Sequence, residues 1–290
     1  MTLFFCDEAA KDNEYNIIRD EPRFSQDKAF IEEMWSEYKQ YADTHFLLES
    51  RKNFKQRIWE MYLTCSLIAK GFSISSDDQG PDIRISKEEV DIWIEAVAPK
   101  AGEGNDAVTE LQDRTTRRVP DDQIKLRYRS AIEEKYNKKY QKYILNQIVK
   151  PNDCYIIAIN GSAIPSARRE TDIPRIIRSV LPFGNETLII DVEKHEILDR
   201  SYEYQDQVSK VSGFSVTTNI FLNNQYDGIS AVLYSCVGVD SLNSPQELGD
   251  DFVLLHNPLA KNKLERGLIK LGREYWVENS ILYCTNWVNQ

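Results

Sequence analysis

The run Gly80-Pro81-Asp82-Ile83-Arg84-Ile85-Ser86-Lys87-Glu88-Glu89-Val90-Asp91-Ile92-Trp93-Ile94-Glu95-Ala96-Val97 alternates in side-chain character about a charged centre, the pattern of a β-hairpin. Ile83, Ile85, Ile92, Ile94 and Ala96 fall on one face, and Asp82, Arg84, Trp93, Glu95 and Val97 on the other. A four-residue turn on Lys87 to Val90 pairs Ser86 with Asp91, Ile85 with Ile92, Arg84 with Trp93 and Ile83 with Ile94. One step further, Asp82 then opposes Glu95. Opposed residues hold their Cβ atoms roughly 5 Å apart, so the two carboxylates either share a hard divalent cation or repel each other.

Upstream, Phe54, Ile58, Met61, Tyr62, Cys65 and Ile68 form a stripe of helical period over Arg51 to Lys70, with Gly71 as the stop. A helical segment over 28–50 carries Phe30, Met34, Tyr38 and Tyr41 in acid-rich surroundings and reads as a solvated extension. A short strand is expected at Phe72 to Ser76. Ala98 to Asp106, with Pro99, Gly102 and Gly104, must be a loop, and it lacks the lysine and helix start of a phosphate-binding loop. A long helix is expected over 121–147, capped by Asp121 or Asp122 behind Pro120, with Ile124, Tyr128, Ala131, Ile132, Tyr136, Tyr140, Tyr143 and Ile144 facing inward.

The continuous apolar runs Cys154 to Ile159 and Thr187 to Val192 read as central strands. A helix after Asp172, with Pro174 near its first turn, lies between them and suggests a parallel crossover. Segments 214–217, 229–234 and 252–255 read as further strands of the same sheet. The expected organisation is an acidic helical extension over 1–50, an α/β core over 51–200 and a strand-rich C-terminal extension over 201–290 packed on that core.

The 290 residues carry a formal net charge of -10, which argues against strong nucleic-acid affinity by the chain as a whole. Charge is unevenly spread, however, and segment 114–150 is rich in arginine and lysine. The cysteines, Cys6, Cys65, Cys154, Cys236 and Cys284, are odd in number and scattered, which suits a reducing compartment. No CxxC occurs and the histidines are far apart, against a structural zinc site. His256, where a strand ends in a turn, reads as structural. With no signal-like start and no run of about 20 apolar residues, a cytoplasmic protein is expected.

Gly80-Pro81-Asp82, Ile94-Glu95-Ala96-Val97 and the helical Trp59-Glu60-Met61-Tyr62 together resemble the PD-(D/E)XK nuclease superfamily, over roughly residues 51–160. The resemblance implies an α/β restriction-endonuclease-like core, a mixed central sheet flanked by helices. It further implies a Mg2+-dependent nuclease, with Mn2+ able to substitute, acting on DNA rather than RNA, in a role such as defence against foreign DNA. Carried over, Glu60, Asp82 and Glu95 are the metal ligands, and the position of the family's catalytic lysine is Val97. Lys135, on the inward stripe of Tyr128, Ala131 and Ile132, is the candidate replacement, followed by Lys139 and Lys100. Arg114, Arg117, Arg118, Arg127 and Lys139 are the expected nucleic-acid contacts, and a homodimer or partner subunit fits the family. Two rivals stand beside this reading: a non-catalytic protein of the same fold that binds nucleic acid or a protein, and a metal-carboxylate hydrolase of a small phosphoester.

Overall fold

The structure, a computed structural model, describes residues 3–76, 79–87, 90–112, 114–116, 118–242 and 247–288. Strands β1 (Ile74–Ser75), β2 (Ile83–Lys87), β3 (Val90–Val97) and β4 (Cys154–Asn160) form one half of a mixed eight-stranded sheet. A separate ribbon of β5 (Phe183–Asp191) and β6 (Glu196–Tyr204) follows, then a short pair, β7 (Gln207–Ser209) and β8 (Ser215–Thr217). Strands β9 (Ala231–Ser235), β10 (Val253–His256), β11 (Arg273–Glu278) and β12 (Ile281–Asn286) complete the large sheet, whose order is β1-β2-β3-β4-β9-β10-β11-β12. The central strands β3, β4 and β9 are parallel, and the hairpin β2–β3 is antiparallel.

The hairpin has the expected register, Ile83 with Ile94 through Ser86 with Asp91. The ladder closes one pair further than expected, at Lys87 and Val90. Both faces of the sheet are covered, so the alternation separates two cores rather than core from solvent. Ile83, Ile85, Ile92, Ile94 and Ala96 enter the first core and Trp93 the second.

Helices α1 (Asn13–Asp20), α2 (Ser25–Tyr38), α3 (Phe46–Ser50) and α4 (Phe54–Ala69) cover the first face. The helix expected over 28–50 is therefore two, and Tyr15, Ile18, Ile31, Met34, Trp35 and Phe46 are buried beside Phe54 and Ile58. Their apolar stripes meet α4 more than solvent. The second face is covered by α5 (Asp121–Glu134), a π-helical turn over Lys135–Tyr140 and α6 (Gln141–Leu145), followed later by α7 (Arg175–Arg178). The α5-to-α6 run is the crossover between parallel β3 and β4. Apolar packing crosses the boundaries expected at 50/51 and 200/201, because Tyr15, Ile31, Trp35 and Phe46 share the first core with α4, and β9 and β10 share both cores with β3 and β4.

Three expectations are corrected. Segment 214–217 does not join the large sheet, because β8 pairs with β7 in a separate two-stranded sheet. Thr187 to Val192 is not a central strand: β5 pairs only with β6 in the two-stranded ribbon, and Ile189 and Ile190 are each 53 % exposed. The parallel neighbour of β4 is β9, since an apolar run alone does not distinguish a buried strand from an exposed one. Nor does an aspartate side chain cap α5. Asp121 instead accepts from Arg175 Nε at 2.6 Å, and Asp122 pairs with Lys125 at 2.8 Å. Buried cations outcompete the free helix N–H groups for these carboxylates.

His256 is buried with its Nε2 2.7 Å from Glu274 Oε1. The five cysteines are free thiols. Among the described residues, no helix is long and apolar enough to cross a membrane.

Candidate active site

Three carboxylates and a lysine gather at the carboxyl end of β3, where α4 and the α5 run approach from opposite faces of the sheet. Pro81 stands two residues before β2, ahead of the first ladder pair, so its missing N–H costs the hairpin no bond. Asp82, the next residue, turns its carboxylate across the hairpin, and Oδ2 accepts from the Ala96 N–H at 2.7 Å.

Glu95 points to the second face, between the backbone positions of Ile94 and Ala96, and is 3 % exposed. A carboxylate so buried needs donors on both oxygens. Lys135 Nζ donates to Oε1 at 2.6 Å and the Tyr143 hydroxyl to Oε2 at 3.0 Å. Lys135 opens the π-helical turn, whose extra residue per turn departs from the 3.6 period. Tyr136 and Tyr140 within it and Tyr143 beyond it stay buried, while Lys139 is exposed.

Glu60, 4 % exposed on α4, comes from the first face. Gln56 Nε2 donates to its Oε1 at 2.8 Å and Arg57 Nη1 to its Oε2 at 2.6 Å. Gln56 also ties α4 to β3: its Nε2 reaches the Ala96 carbonyl at 3.2 Å, and its Oε1 accepts from the Ala98 N–H at 2.7 Å. A cleft of about 580 Å3 opens onto Glu60 and Asp82, bordered by Tyr38, Tyr41, Asp43, His45 and Arg57.

The electrostatics follow from burial. Desolvation lifts the Glu60 pKa above the usual carboxylate range, against the pull of Arg57 and Gln56. Asp82 is raised further: its carboxylate is enclosed although the residue borders the cleft, and Glu60 and Glu95 repel its charge. Burial pulls the Lys135 ammonium down, but Glu95, with Asp82 and Glu60, leaves it net above the usual lysine range.

Folding therefore favours protonated Asp82, so the native protein holds more proton than the unfolded chain above about pH 3.9. That contribution is complete below the unfolded value and is lost as pH rises through the raised folded value. Stability in EDTA is expected to decline with rising pH, and Asp82→Asn to flatten the decline, with Glu60 supplying the remainder. Thermal melts from about pH 5 to about pH 9 check this, and parallel parent and variant curves would refute it.

Tyr143→Phe strips one donor from buried Glu95 and is expected to cost about 1–3 kcal/mol. A double-mutant cycle with Glu95→Gln measures the pair, and a coupling below about 0.5 kcal/mol would remove Tyr143 from the site.

All-carboxylate oxygen donors fit a hard divalent cation, and the mutual repulsion at Asp82 is what such a cation relieves. As placed, the oxygens are engaged by Arg57, Gln56, Lys135, Tyr143 and the Ala96 N–H, and among the described residues no three acidic, histidine or cysteine side chains converge at metal-holding distance. Glu60, Asp82 and Lys135 feel one another's charge, and Asp82 and Lys135 feel that of Glu95, without the side chains meeting at one point. Val97 is half-buried in the β3–β4 ladder opposite Ile159.

The expected nucleic-acid contacts are not gathered there. Arg114 and Arg118 are exposed, Arg127 Nε donates to the Lys100 carbonyl at 2.9 Å, and Lys100 and Lys139 are exposed. Arg117 lies outside the described residues.

Gln56 and Tyr143 were not singled out from sequence, whereas Arg57, three residues before Glu60, is a partner that helical spacing offers; Gln56 stands four residues before Glu60, where the same spacing was the available signal. Tyr143 was hidden among core tyrosines. The chain matches no protein-family model, no curated protein and no solved structure, so the chemistry of this cluster rests on its own residues.

Proposed function

We propose that the chain is a magnesium-dependent nuclease of the PD-(D/E)XK type, with a restriction-endonuclease-like core, that hydrolyses phosphodiester bonds in DNA in the cytoplasm. One observation carries the reading: Lys135, from the crossover helix, lies 2.6 Å from Glu95 in a cluster electrostatically coupled to Asp82 and Glu60. This supplies an ammonium where the strand itself offers only Val97.

Glu60, Asp82 and Glu95 would hold the metal, with Mn2+ able to substitute. Its chemistry would be to activate water at neutral pH and to neutralise charge on the phosphate. Lys135 places a positive charge beside the phosphate and stabilises negative charge growing there. Tyr143 and Lys135 together fix the rotamer of Glu95, and Gln56 fixes Glu60 against β3. The low-dielectric surroundings strengthen each of these interactions.

The test is incubation with plasmid, single-stranded DNA and RNA in Mg2+ or Mn2+, with EDTA and Asp82→Asn as blanks. Cleavage that needs metal and is lost in the variant is expected. The second reading, a protein of the same fold that binds nucleic acid or a partner without cutting, is favoured by Val97. Nucleic-acid binding in Ca2+ without cleavage in any metal would select it.

A further inference from the structure

We infer that Arg57 is the built-in counter-ion of Glu60, that an entering divalent cation displaces it, and that the freed guanidinium then binds a substrate phosphate in the adjoining cleft. The inference rests on the nuclease reading and adds a catalytic residue to it.

Both oxygens of buried Glu60 are occupied, one by Gln56 and one by Arg57. A cation that uses Glu60 must compete with one of these donors. Gln56 is neutral and is anchored twice more, to the Ala96 carbonyl and the Ala98 N–H, so moving it would cost three hydrogen bonds. Arg57 is the partner able to leave. Its side chain is 21 % exposed and borders the cleft, and a divalent charge on the same carboxylate repels it.

A second acceptor already stands beside it. The Arg57 nitrogen that bonds Glu60 also lies 3.4 Å from Asp43 Oδ2, on an exposed residue of the cleft wall, and Phe46 backs the guanidinium at 5.3 Å from its ring centre. Swinging toward Asp43 keeps the planar fork in the cleft, aimed across the space that also reaches Asp82. Such a fork matches two oxygens of a phosphate. Lys135 differs, because it is bound to Glu95 and does not border this cleft.

Calorimetric titration with Mn2+ of the parent, Arg57→Gln and Arg57→Lys tests the exchange without reading activity. Arg57→Gln removes the competitor and is expected to bind Mn2+ on the order of tenfold more tightly, with Arg57→Lys in between. In saturating Ca2+, Arg57→Gln is expected to bind a short single-stranded oligonucleotide on the order of tenfold more weakly. If Arg57→Gln does not fold, the lysine variant carries the comparison with the same direction and a smaller change.

Unchanged or weaker Mn2+ binding by the variants, with a parent that binds, overturns the exchange. Unchanged oligonucleotide affinity overturns the phosphate role. A parent silent toward Mn2+ overturns the nuclease reading and this inference with it, an outcome visible before any variant is compared.

Discussion

Asp82→Asn and Glu95→Gln are each expected to reduce phosphodiester cleavage at least a thousandfold, roughly 4 kcal/mol of transition-state stabilisation. Each variant keeps the size and shape of the side chain and removes its charge, with one acceptor oxygen becoming a donor, so the loss does not report packing. The two should part in stability. Asp82→Asn removes a carboxylate that burial and two like charges disfavour, so its melting temperature in EDTA is expected to match or exceed that of the parent at neutral pH. Glu95→Gln takes the anion from beside Lys135, a contact of 2.6 Å with the carboxylate only 4 % exposed, and is expected to lower it. Plasmid nicking and thermal melts on the same preparations provide both readings. Full activity in either variant would sink the metal-centre assignment.

Lys135→Ala is expected to slow turnover on the order of a hundredfold or more, about 3 kcal/mol, while KM changes little. The ammonium approaches Glu95 from the crossover helix, so its loss removes charge at the reacting phosphate and leaves the cleft walls in place. Stability is expected to fall as well, through the unpaired Glu95, though the lysine side chain is 20 % exposed and solvent offsets part of the cost. A purely structural lysine would show that second effect alone. The double variant Val97→Lys with Lys135→Ala separates the cases. Val97 lies two residues beyond Glu95 on the same strand face, so an ammonium grown there approaches the same anion and is expected to restore part of the rate. A Lys135→Ala protein that cleaves as fast as the parent would transfer attention to Lys139 and Lys100.

The hairpin was legible because its information is local. Strict alternation from Ile83 to Ala96 admits one register, since a slip of one residue would exchange the two faces. Glu95 stood out for the same reason, as a charge inside an apolar strand. Lys135 was found by helical period, which holds up to the π-helical turn and fails at Lys139 within it.

Non-local partners decided the rest. The apolar run at Thr187 to Val192 has strand composition, but whether it lies in the central sheet depends on β9, some forty residues later, and the structure gives that place to β9. The acidic helices before residue 50 look solvated in sequence because each carries only one apolar stripe, and only the fold reveals that these stripes share a core with α4. The sequence by itself determined the strand register, the helix faces and the acids worth watching, all set by periods of two and 3.6 residues. Tertiary structure alone decided that Lys135 and Tyr143 hold Glu95 and that Gln56 ties the helix of Glu60 to β3. A buried carboxylate must find donors wherever packing brings them, and packing joins residues that no local period connects.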